Sequence, residues 1–135
     1  MATLAFSAME DLVVVVYGAK DPSNADIEEV VGVFKKLDMS RIPSLIVSHG
    51  GAPNALQREM LLTSIGTAEH LSAVMSDSLR VRGVVTALSW FKENIKAFSK
   101  SKLGSALEYL NISPSRNETI AKEIDRLEHR VGLTE

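Results

Sequence analysis

The clearest pattern in the sequence is an unbroken apolar run at residues 12–17, closed by Gly18. Apolar residues without alternation are typical of a strand that is covered on both faces, so we predict a central strand here. A weaker apolar stretch at residues 3–8 is separated from this run by a few positions that include Glu10 and Asp11. This spacing predicts a short first strand, joined to the second by a hairpin.

Downstream of the second strand, apolar residues recur at steps of three and four, which is the period of an α-helix. Ser23 with Asp26 resembles a helix start, and the spacing predicts a helix that continues through Lys36. Asn54, followed three residues later by Gln57, predicts a capping box for a second helix that ends at Gly66. The predicted apolar positions are Ile27, Val30, Val31, Phe34 and Leu37 in the first helix, and Ala55, Met60, Leu61, Leu62 and Ile65 in the second.

Three further apolar segments, Ser44–Ser48, residues 71–75 and residues 95–99, predict strands, the last of them alternating as an edge strand does. Helical spacing reappears after Asp77, after residue 102 and after Pro114. Because strands alternate with helices, we predict a single α/β domain whose mainly parallel sheet of about five strands carries helices on its faces. The helical positions are Val81, Val84, Val85, Leu88 and Phe91, then Leu103, Ala106, Leu107 and Leu110, then Ile120, Ile124, Leu127 and Val131.

Two segments carry a family resemblance: Leu-Ser-Ala-Val-Met-Ser-Asp at residues 71–77, with a helix to Trp90-Phe91, and Ile-Lys-Ala-Phe at 95–98, leading into the helix at 103–110. This order resembles the STAS/SEC14-like superfamily, and is most similar to the SpoIIAA-like branch of small bacterial proteins related to anti-sigma-factor antagonists. The resemblance covers residues 1–112 and leaves residues 113–135 as an additional C-terminal helix. It implies a STAS-like fold with four helices besides that one, and a binding or regulatory module rather than an enzyme.

The resemblance also implies that the loop after the third strand and the helix that follows form the working surface. In anti-sigma-factor antagonists, a partner kinase phosphorylates a serine or threonine at the start of this helix. The matching stretch here, residues 48–54, reads Ser-His-Gly-Gly-Ala-Pro-Asn, and no hydroxyl lies in the first helical turn after Asn54. Ser48, at the strand end, is the nearest candidate for such a modification.

The composition narrows the function further. The 135 residues include 15 Lys and Arg against 17 Asp and Glu, with the signs interspersed, so we expect no general attraction to nucleic acid or to an anionic membrane. The absence of cysteine excludes disulfides, thiolate metal sites and thiol catalysis, and fits a reducing compartment. No basic leader opens the chain and no apolar run approaches the roughly 20 residues of a membrane helix, so we expect a cytoplasmic protein.

Candidate binding residues lie where strands of a parallel sheet end, because ligands collect at the carboxyl edge. Gly50 and Gly51 offer backbone N–H groups to an anion, while Arg80 and Arg82 near the third helix start favour a phosphate or carboxylate partner. In the alternative interpretation, the glycines only turn the chain and the arginines are solvated or paired with Asp77 or Glu10. The predicted partner- or ligand-binding residues are Ser48, His49, Gly50, Gly51, Asn54, Gln57, Arg58, Ser78, Arg80 and Arg82.

Catalysis has little support in the sequence. Ser48, His49 and Asp77 are the residue types of a hydrolase triad, but adjacent side chains on an extended strand point to opposite faces, and no Gly-x-Ser-x-Gly elbow exists. The histidines at 49, 70 and 129 fall on separate elements without metal spacing, and the glycines match no nucleotide-binding motif. We therefore expect no enzyme, no metal and no cofactor, and an enzyme that uses His49 and Asp77 is the remaining third hypothesis.

Two features leave alternatives open. Trp90 and Phe91 either pack in the core or contact a partner, and the final helix either packs on its own domain or pairs with a second copy. The main functional hypothesis is a non-enzymatic, regulatory protein-interaction module that binds a partner protein through the loop and helix after the third strand. The alternative is a small-ligand or lipid-type binding protein that holds an anionic or polar head group near Gly50, Gly51, Arg80 and Arg82.

Overall fold

The computed structural model describes residues 2–67, 69–89 and 94–132, within which five strands and five α-helices form an α/β fold. The predicted α/β class, with a mainly parallel sheet and helices on its faces, is confirmed. The elements are β1 (Leu4–Ala8), β2 (Val13–Tyr17), α1 (Asn24–Phe34), β3 (Ser44–Ser48), α2 (Ala55–Ile65), β4 (Ser72–Met75), α3 (Leu79–Ser89), β5 (Ile95–Phe98), α4 (Leu103–Tyr109) and α5 (Asn117–Arg130).

The strands lie in the sheet in their chain order, β1-β2-β3-β4-β5. β1 is antiparallel to β2, and the hairpin between them is closed by the Met9 N–H, which donates to the Leu12 carbonyl. The other three pairings are parallel, with Val13 opposite Ser44 and Ser44 opposite Ser72. Each of α1, α2 and α3 connects two neighbouring parallel strands, and the strands follow one another in a single direction across the sheet. Because such connections are right-handed, all three helices lie on the same face of the sheet.

The second face of the sheet is covered by the last two helices. Strand side chains alternate between faces, so every second residue of β2, β3 and β4 points toward α4 and α5. The core on this face is larger than the one beneath α1, and its buried cluster consists of apolar residues, as expected for strands covered on both sides. It contains Ala5, Leu12, Val14, Val16, Leu45, Val47, Ala73, Met75, Ala106, Leu107, Leu110, Ile120, Leu127 and Val131.

The helix starts that the sequence predicts are confirmed. The Ser23 hydroxyl accepts from the Asp26 N–H at the start of α1, and Asn54 and Gln57 form a complete capping box at the start of α2. Gly66 ends α2 with φ of 71°, a left-handed conformation that glycine adopts without steric cost. These local signals therefore determine where α1 and α2 begin and where α2 ends.

The predicted apolar face of α2 is wrong in part. Ala55 is exposed, and the two buried residues of α2 are the polar side chains Gln57 and Ser64. Leu61 and Ile65 are only half-buried, and Leu62 is 44% exposed. Leu61, Leu62 and Ile65 border a space between α2 and the sheet instead of a closely packed core.

The C-terminal segment begins with a short 3₁₀ helix, Pro114–Arg116, before α5, where the sequence pattern predicts one continuous helix from Pro114. Ile120 and Leu127 of α5 are fully buried and belong to the same cluster as Val14 of β2. The apolar stripe of α5, which includes Ile120 and Leu127, therefore packs against the sheet of its own chain. The predicted core position of Trp90 and Phe91 lies outside the described residues.

β5 lies at an edge of the sheet, as its alternating sequence predicts. Its Lys96 is exposed, and the ammonium lies 5.4 Å from the ring centroid of Phe98 and 5.8 Å from that of Tyr109. Both distances are within the range of a cation–π contact. The edge of the sheet therefore carries a fixed positive charge. In the described part of the chain, no helix combines the length and apolarity needed to cross a membrane.

Candidate functional site

A cavity of about 310 Å³ lies between the sheet and the helices α1, α2 and α3. Its wall is overwhelmingly apolar, and its volume is at the lower end of the range found for small-molecule sites. Protein interiors hold few voids larger than a water molecule, so a space of this size is not ordinary packing. The lining residues are Val15, Tyr17, Val30, Phe34, Ser44, Ile46, Ser48, Gly51, Ala52, Pro53, Arg58, Leu61, Leu62, Ile65, Ser72, Val74, Val81, Val84, Val85 and Ile95.

The floor of this cavity is the middle of the sheet. Ser44, Ile46 and Ser48 alternate along β3 and share the face that looks toward α2. Ile46 is the central residue of the central strand, yet it is the only residue of β3 that is not fully buried. Its side chain packs against the apolar clusters beneath α1 and α3 and also borders the cavity, so it stays partly accessible.

The roof of the cavity is α2, which contributes Leu61, Leu62 and Ile65 to the lining. Leu61 and Ile65 line the cavity while remaining half-buried, and Leu62 lines it while 44% exposed. A lining residue with that much exposure marks where the cavity meets solvent. A ligand therefore has an entrance beside α2.

Arg58 is the single charged side chain among the described residues that line the cavity. Its Nη1 donates to the Pro53 carbonyl at 2.9 Å, which holds the guanidinium near the carboxyl end of β3. A guanidinium carries five N–H donors, so this bond leaves capacity for a carboxylate or phosphate. Burial raises the pKa of Tyr17, another lining residue, so its phenol stays neutral and adds no competing anion.

A polar cluster lies at the opposite end of the cavity, where β3 and β4 begin. The Ser44 Oγ lies 2.9 Å from Nε2 of His70 and 3.1 Å from the Ser72 Oγ. Nδ1 of His70 lies 2.8 Å from the Met39 carbonyl, and the imidazole is fully buried. Ser44 and Ser72 face the cavity, so this cluster is its second polar point.

The loop after β3 does not present the anion cradle that the sequence suggests. The Gly51 N–H donates to the Gly18 carbonyl, and the Gly50 N–H donates to the Ser48 hydroxyl. A side chain on Gly51 would collide with the Lys20 carbonyl oxygen, so the glycine permits a close approach of two backbone segments. The prediction of two free N–H donors is therefore wrong, because the Gly51 N–H joins this loop to the end of β2 and the Gly50 N–H bonds Ser48 at the end of β3.

Arg80 lies beside this loop, but its partner differs from the expected ones. Its Nη2 lies 2.7 Å from Asp21 Oδ1 and 2.7 Å from the Gly50 carbonyl, rather than pairing with Asp77 or Glu10. The Arg80 hydrogen bond, followed by one from the Ala52 N–H, holds the pKa of Asp21 below its usual value. Arg82 is exposed, and its positive charge is among the causes that lower the pKa of Asp77.

His49 and Asp77 are engaged separately. Nε2 of His49 lies 2.7 Å from Glu128 on α5, and its Nδ1 lies 2.9 Å from Nζ of Lys100. The Asp77 carboxylate accepts from the Lys100 N–H and the Ser99 hydroxyl, and these bonds lower the pKa of Asp77. The Ser48 hydroxyl donates to the Gly51 carbonyl. Ser48, His49 and Asp77 therefore each have partners other than one another.

The remaining predicted binding residues act within the fold. Asn54 caps α2, and Nε2 of Gln57 donates to the Pro22 carbonyl and to Asn24 Oδ1, which joins the starts of α1 and α2. The Ser78 hydroxyl accepts from the Val81 N–H at the start of α3. Of the ten predicted site residues, the cavity is lined by Ser48, Gly51 and Arg58.

The comparisons with known proteins give no family assignment: neither a protein-family model nor a curated protein matches the sequence. The STAS-like resemblance therefore stays a prediction. Among the residues that the structure describes, no group of three or more His, Cys, Asp or Glu side chains forms a metal site.

The polar cluster of Ser44, His70 and Ser72 is the part of the site that the sequence analysis missed. Its members are 26 and 28 residues apart and meet only because β3 and β4 pair in parallel with Ser44 opposite Ser72. The available signal was a serine at the first position of two successive apolar strands.

Proposed function

We propose that the protein is a non-enzymatic binding protein, and that its ligand is a small, mostly apolar molecule held between the sheet and α1–α3. The observation that carries this proposal is the accessible Ile46, at the centre of the central strand and facing an apolar cavity of about 310 Å³. A strand residue at that position is ordinarily buried by side chains of the covering helices. Here the covering group is supplied by the ligand.

The apolar wall of the cavity favours a functional interpretation over a packing fault. Because the cavity meets solvent beside Leu62, its lining leaves apolar surface in contact with water. Removing apolar surface from water stabilises a protein by about 25 cal/mol per Å². A bound ligand gains this energy because its atoms cover the lining in place of water.

The positive charge of Arg58 in the cavity wall favours some mostly apolar ligands over others. Arg58 is the one ionised group on the described lining, so a ligand with a carboxylate or phosphate gains a charge-assisted hydrogen bond that a neutral ligand lacks. This replaces the anion site at Gly50, Gly51, Arg80 and Arg82 with one at Arg58. The proposed ligand is therefore an amphiphile with one anionic end.

Decanoate, a ten-carbon carboxylate, is a direct probe of this proposal. We expect it to raise Tm in proportion to the logarithm of its concentration, as a ligand of the native state does. Ile46→Trp fills the cavity and abolishes the rise, whereas Ile112→Trp, on the opposite face, keeps it. An Ile46→Trp protein that still binds decanoate as tightly as the wild type contradicts the proposal.

Arg58 is tested with the same probe. Arg58→Gln weakens decanoate binding about tenfold and leaves decanol binding unchanged, because only the anion uses the guanidinium. Arg41→Gln removes an equal charge from an exposed position outside the cavity and serves as the control. Equal losses in the two variants would show that Arg58 acts only through net charge.

A second function, partner-protein binding, is favoured by a separate observation. Leu56 in the first turn of α2 and Leu79 at the start of α3 are 69% and 85% exposed, and both helices begin at the carboxyl edge of the sheet. Large apolar side chains in such positions are common contact residues in interfaces. We propose this edge as the docking surface of a regulatory partner.

This second proposal is tested by comparing surface variants. Wild-type protein and a Leu56→Glu/Leu79→Glu variant, immobilised separately, are exposed to extract from the source cells, and retained proteins are quantified by mass spectrometry. Leu62→Glu is the control, since it adds one charge to α2 at another exposed leucine. A partner lost only in the double variant supports docking at this edge, and identical profiles for all three proteins refute it.

A further inference from the structure

Two polar points stand at opposite ends of the cavity, and together they define the ligand more closely. The Arg58 guanidinium lies near Pro53, at the carboxyl end of β3, and the Ser44–Ser72 pair lies where β3 and β4 begin. We propose, on the basis of the ligand site proposed above, that the ligand is double-ended. Its anionic group binds Arg58, and a hydroxyl at the far end of a chain of about ten carbons binds Ser72.

The length of β3 gives the scale of the cavity floor between the two ends. Ser44 and Ser48 both line the cavity, and four strand steps of about 3.3 Å separate them by roughly 13 Å. Extended backbone advances about 1.2 Å per bond, because one residue contains three bonds and spans about 3.5 Å. A chain of about 11 bonds therefore spans the cavity floor along β3, and this sets the length of the probes.

The volume of the cavity is compatible with such a chain. A single water needs only about 10–15 Å³ of such space, so a cavity of about 310 Å³ has room for a chain of many atoms. A ten-carbon chain with its carboxylate at the rim, beside Arg58, fits this length and this space.

The direction of the hydrogen bonds in the polar cluster determines what the far end must offer. The Met39 carbonyl can only accept, so the facing Nδ1 of His70 carries the proton. In this tautomer of the neutral imidazole, Nε2 accepts from the Ser44 hydroxyl.

With the Ser44 proton directed at His70, the Ser72 hydroxyl donates to the Ser44 oxygen. The Ser72 oxygen then presents acceptor lone pairs toward the cavity. A ligand hydroxyl satisfies this acceptor, whereas a ketone or ester at the same place would bring two acceptors together. The chain end therefore carries a donor.

Three probes that share one carboxylate test this inference: decanoate, 10-hydroxydecanoate and the monomethyl ester of decanedioic acid. Isothermal titration of the full chain measures their dissociation constants. We expect 10-hydroxydecanoate to bind about 3- to 10-fold more tightly than decanoate, the gain typical of one net hydrogen bond. The ester, which ends in acceptors, gains nothing over decanoate.

Variants assign the gain to Ser72. Ser72→Ala removes the advantage of 10-hydroxydecanoate while decanoate binding is kept, and Ser72→Thr, which restores a hydroxyl, recovers it. Ser64→Ala is the matched control, because this buried serine bonds the Leu61 carbonyl outside the cavity. Arg58→Gln weakens all three probes by the same factor.

The outcomes separate this inference from the proposed function. If decanoate does not bind the wild type, the ligand-binding function itself fails. If decanoate binds and the terminal hydroxyl brings no gain, or the gain survives in Ser72→Ala, the double-ended ligand is refuted and the binding function stands. Tighter binding of the ester than of the hydroxy acid overturns the assigned direction of the hydrogen bonds.

Discussion

Asp11 and Arg116 lie 105 positions apart in the sequence and meet in a two-pronged ion pair. Nε and Nη2 of Arg116 lie 2.7 and 2.9 Å from the two carboxylate oxygens of Asp11. This pair connects the β1–β2 hairpin to the segment that leads into α5. The Arg116 hydrogen bond also holds the pKa of Asp11 below its usual value.

Breaking this pair tests how far it holds α5 in place. Both side chains are about one-third exposed, so solvent screening limits the effect. We expect Asp11→Asn and Arg116→Gln each to lower Tm by about 2–4 °C, and the double variant to lose no more than the worse single one. Additive losses in this double-mutant cycle, measured by calorimetry, would mean that the two residues do not interact.

The loss of stability at acidic pH depends in part on Glu123. Hydrogen bonds from Arg126 and then Ser7 lower the pKa of Glu123 from 4.5 to about 2. A depressed folded-state pKa stabilises the native protein above the unfolded value of 4.5, and this contribution disappears as the pH falls from 4.5 toward 2.

As the pH falls from 4.5 toward 2, the unfolding free energy of the wild type should therefore fall more steeply than that of Glu123→Gln. The difference between the two slopes corresponds to at most about one bound proton. The measurement is the free energy of urea unfolding at several pH values. Glu118→Gln removes the same charge from an 82% exposed side chain on the same helix and serves as the control. Parallel curves for the wild type and Glu123→Gln would contradict the assignment.

Two glycines make a matched pair for testing the close backbone approach at the loop after β3. A Cβ on Gly51 collides with the Lys20 carbonyl, whereas a Cβ on Gly32, within α1, meets nothing within 4 Å. Gly51→Ala should lose about 2 kcal/mol or more of unfolding free energy. Gly32→Ala should gain about 0.5–1 kcal/mol, because alanine is the better helix former. Similar effects of the two substitutions on denaturant midpoints would refute the collision.

The packing of α5 on its own sheet predicts both an energy and a concentration dependence. Leu127 is fully buried, so Leu127→Ala should cost about 2–5 kcal/mol. Leu62→Ala, at a 44% exposed position, should cost less than about 1 kcal/mol. Because the stripe is covered within one chain, the wild-type Tm should not change between low and high protein concentration. A rising Tm would indicate that a second copy contributes.

The elements of this fold are encoded locally, which is why the sequence predicts them. The run at β2 is long enough and apolar enough to require cover on both faces, and the Ser23 and Asn54 caps are complete within four residues. The alternation of β5 likewise predicts its place at an edge. No long-range information is needed for any of these assignments.

The site is encoded less locally. Gly50 and Gly51 have the composition of an anion loop, but whether their N–H groups are free depends on Ser48 and on the distant Gly18. His49 likewise finds Glu128 only after α5 has docked. Gln57 of α2 is buried because its amide bonds Pro22 and Asn24 at the start of α1, and no helical period in the sequence reports that contact.

Lys96 also has a consequence for how the chain behaves at high concentration. An unpaired strand at the end of a sheet is a template on which another chain can add its own strand, and repeated addition produces fibres. The ammonium of Lys96, held over the rings of Phe98 and Tyr109, places a charge on that template. An incoming strand would have to strip water from the ammonium, so β5 resists growth into aggregates.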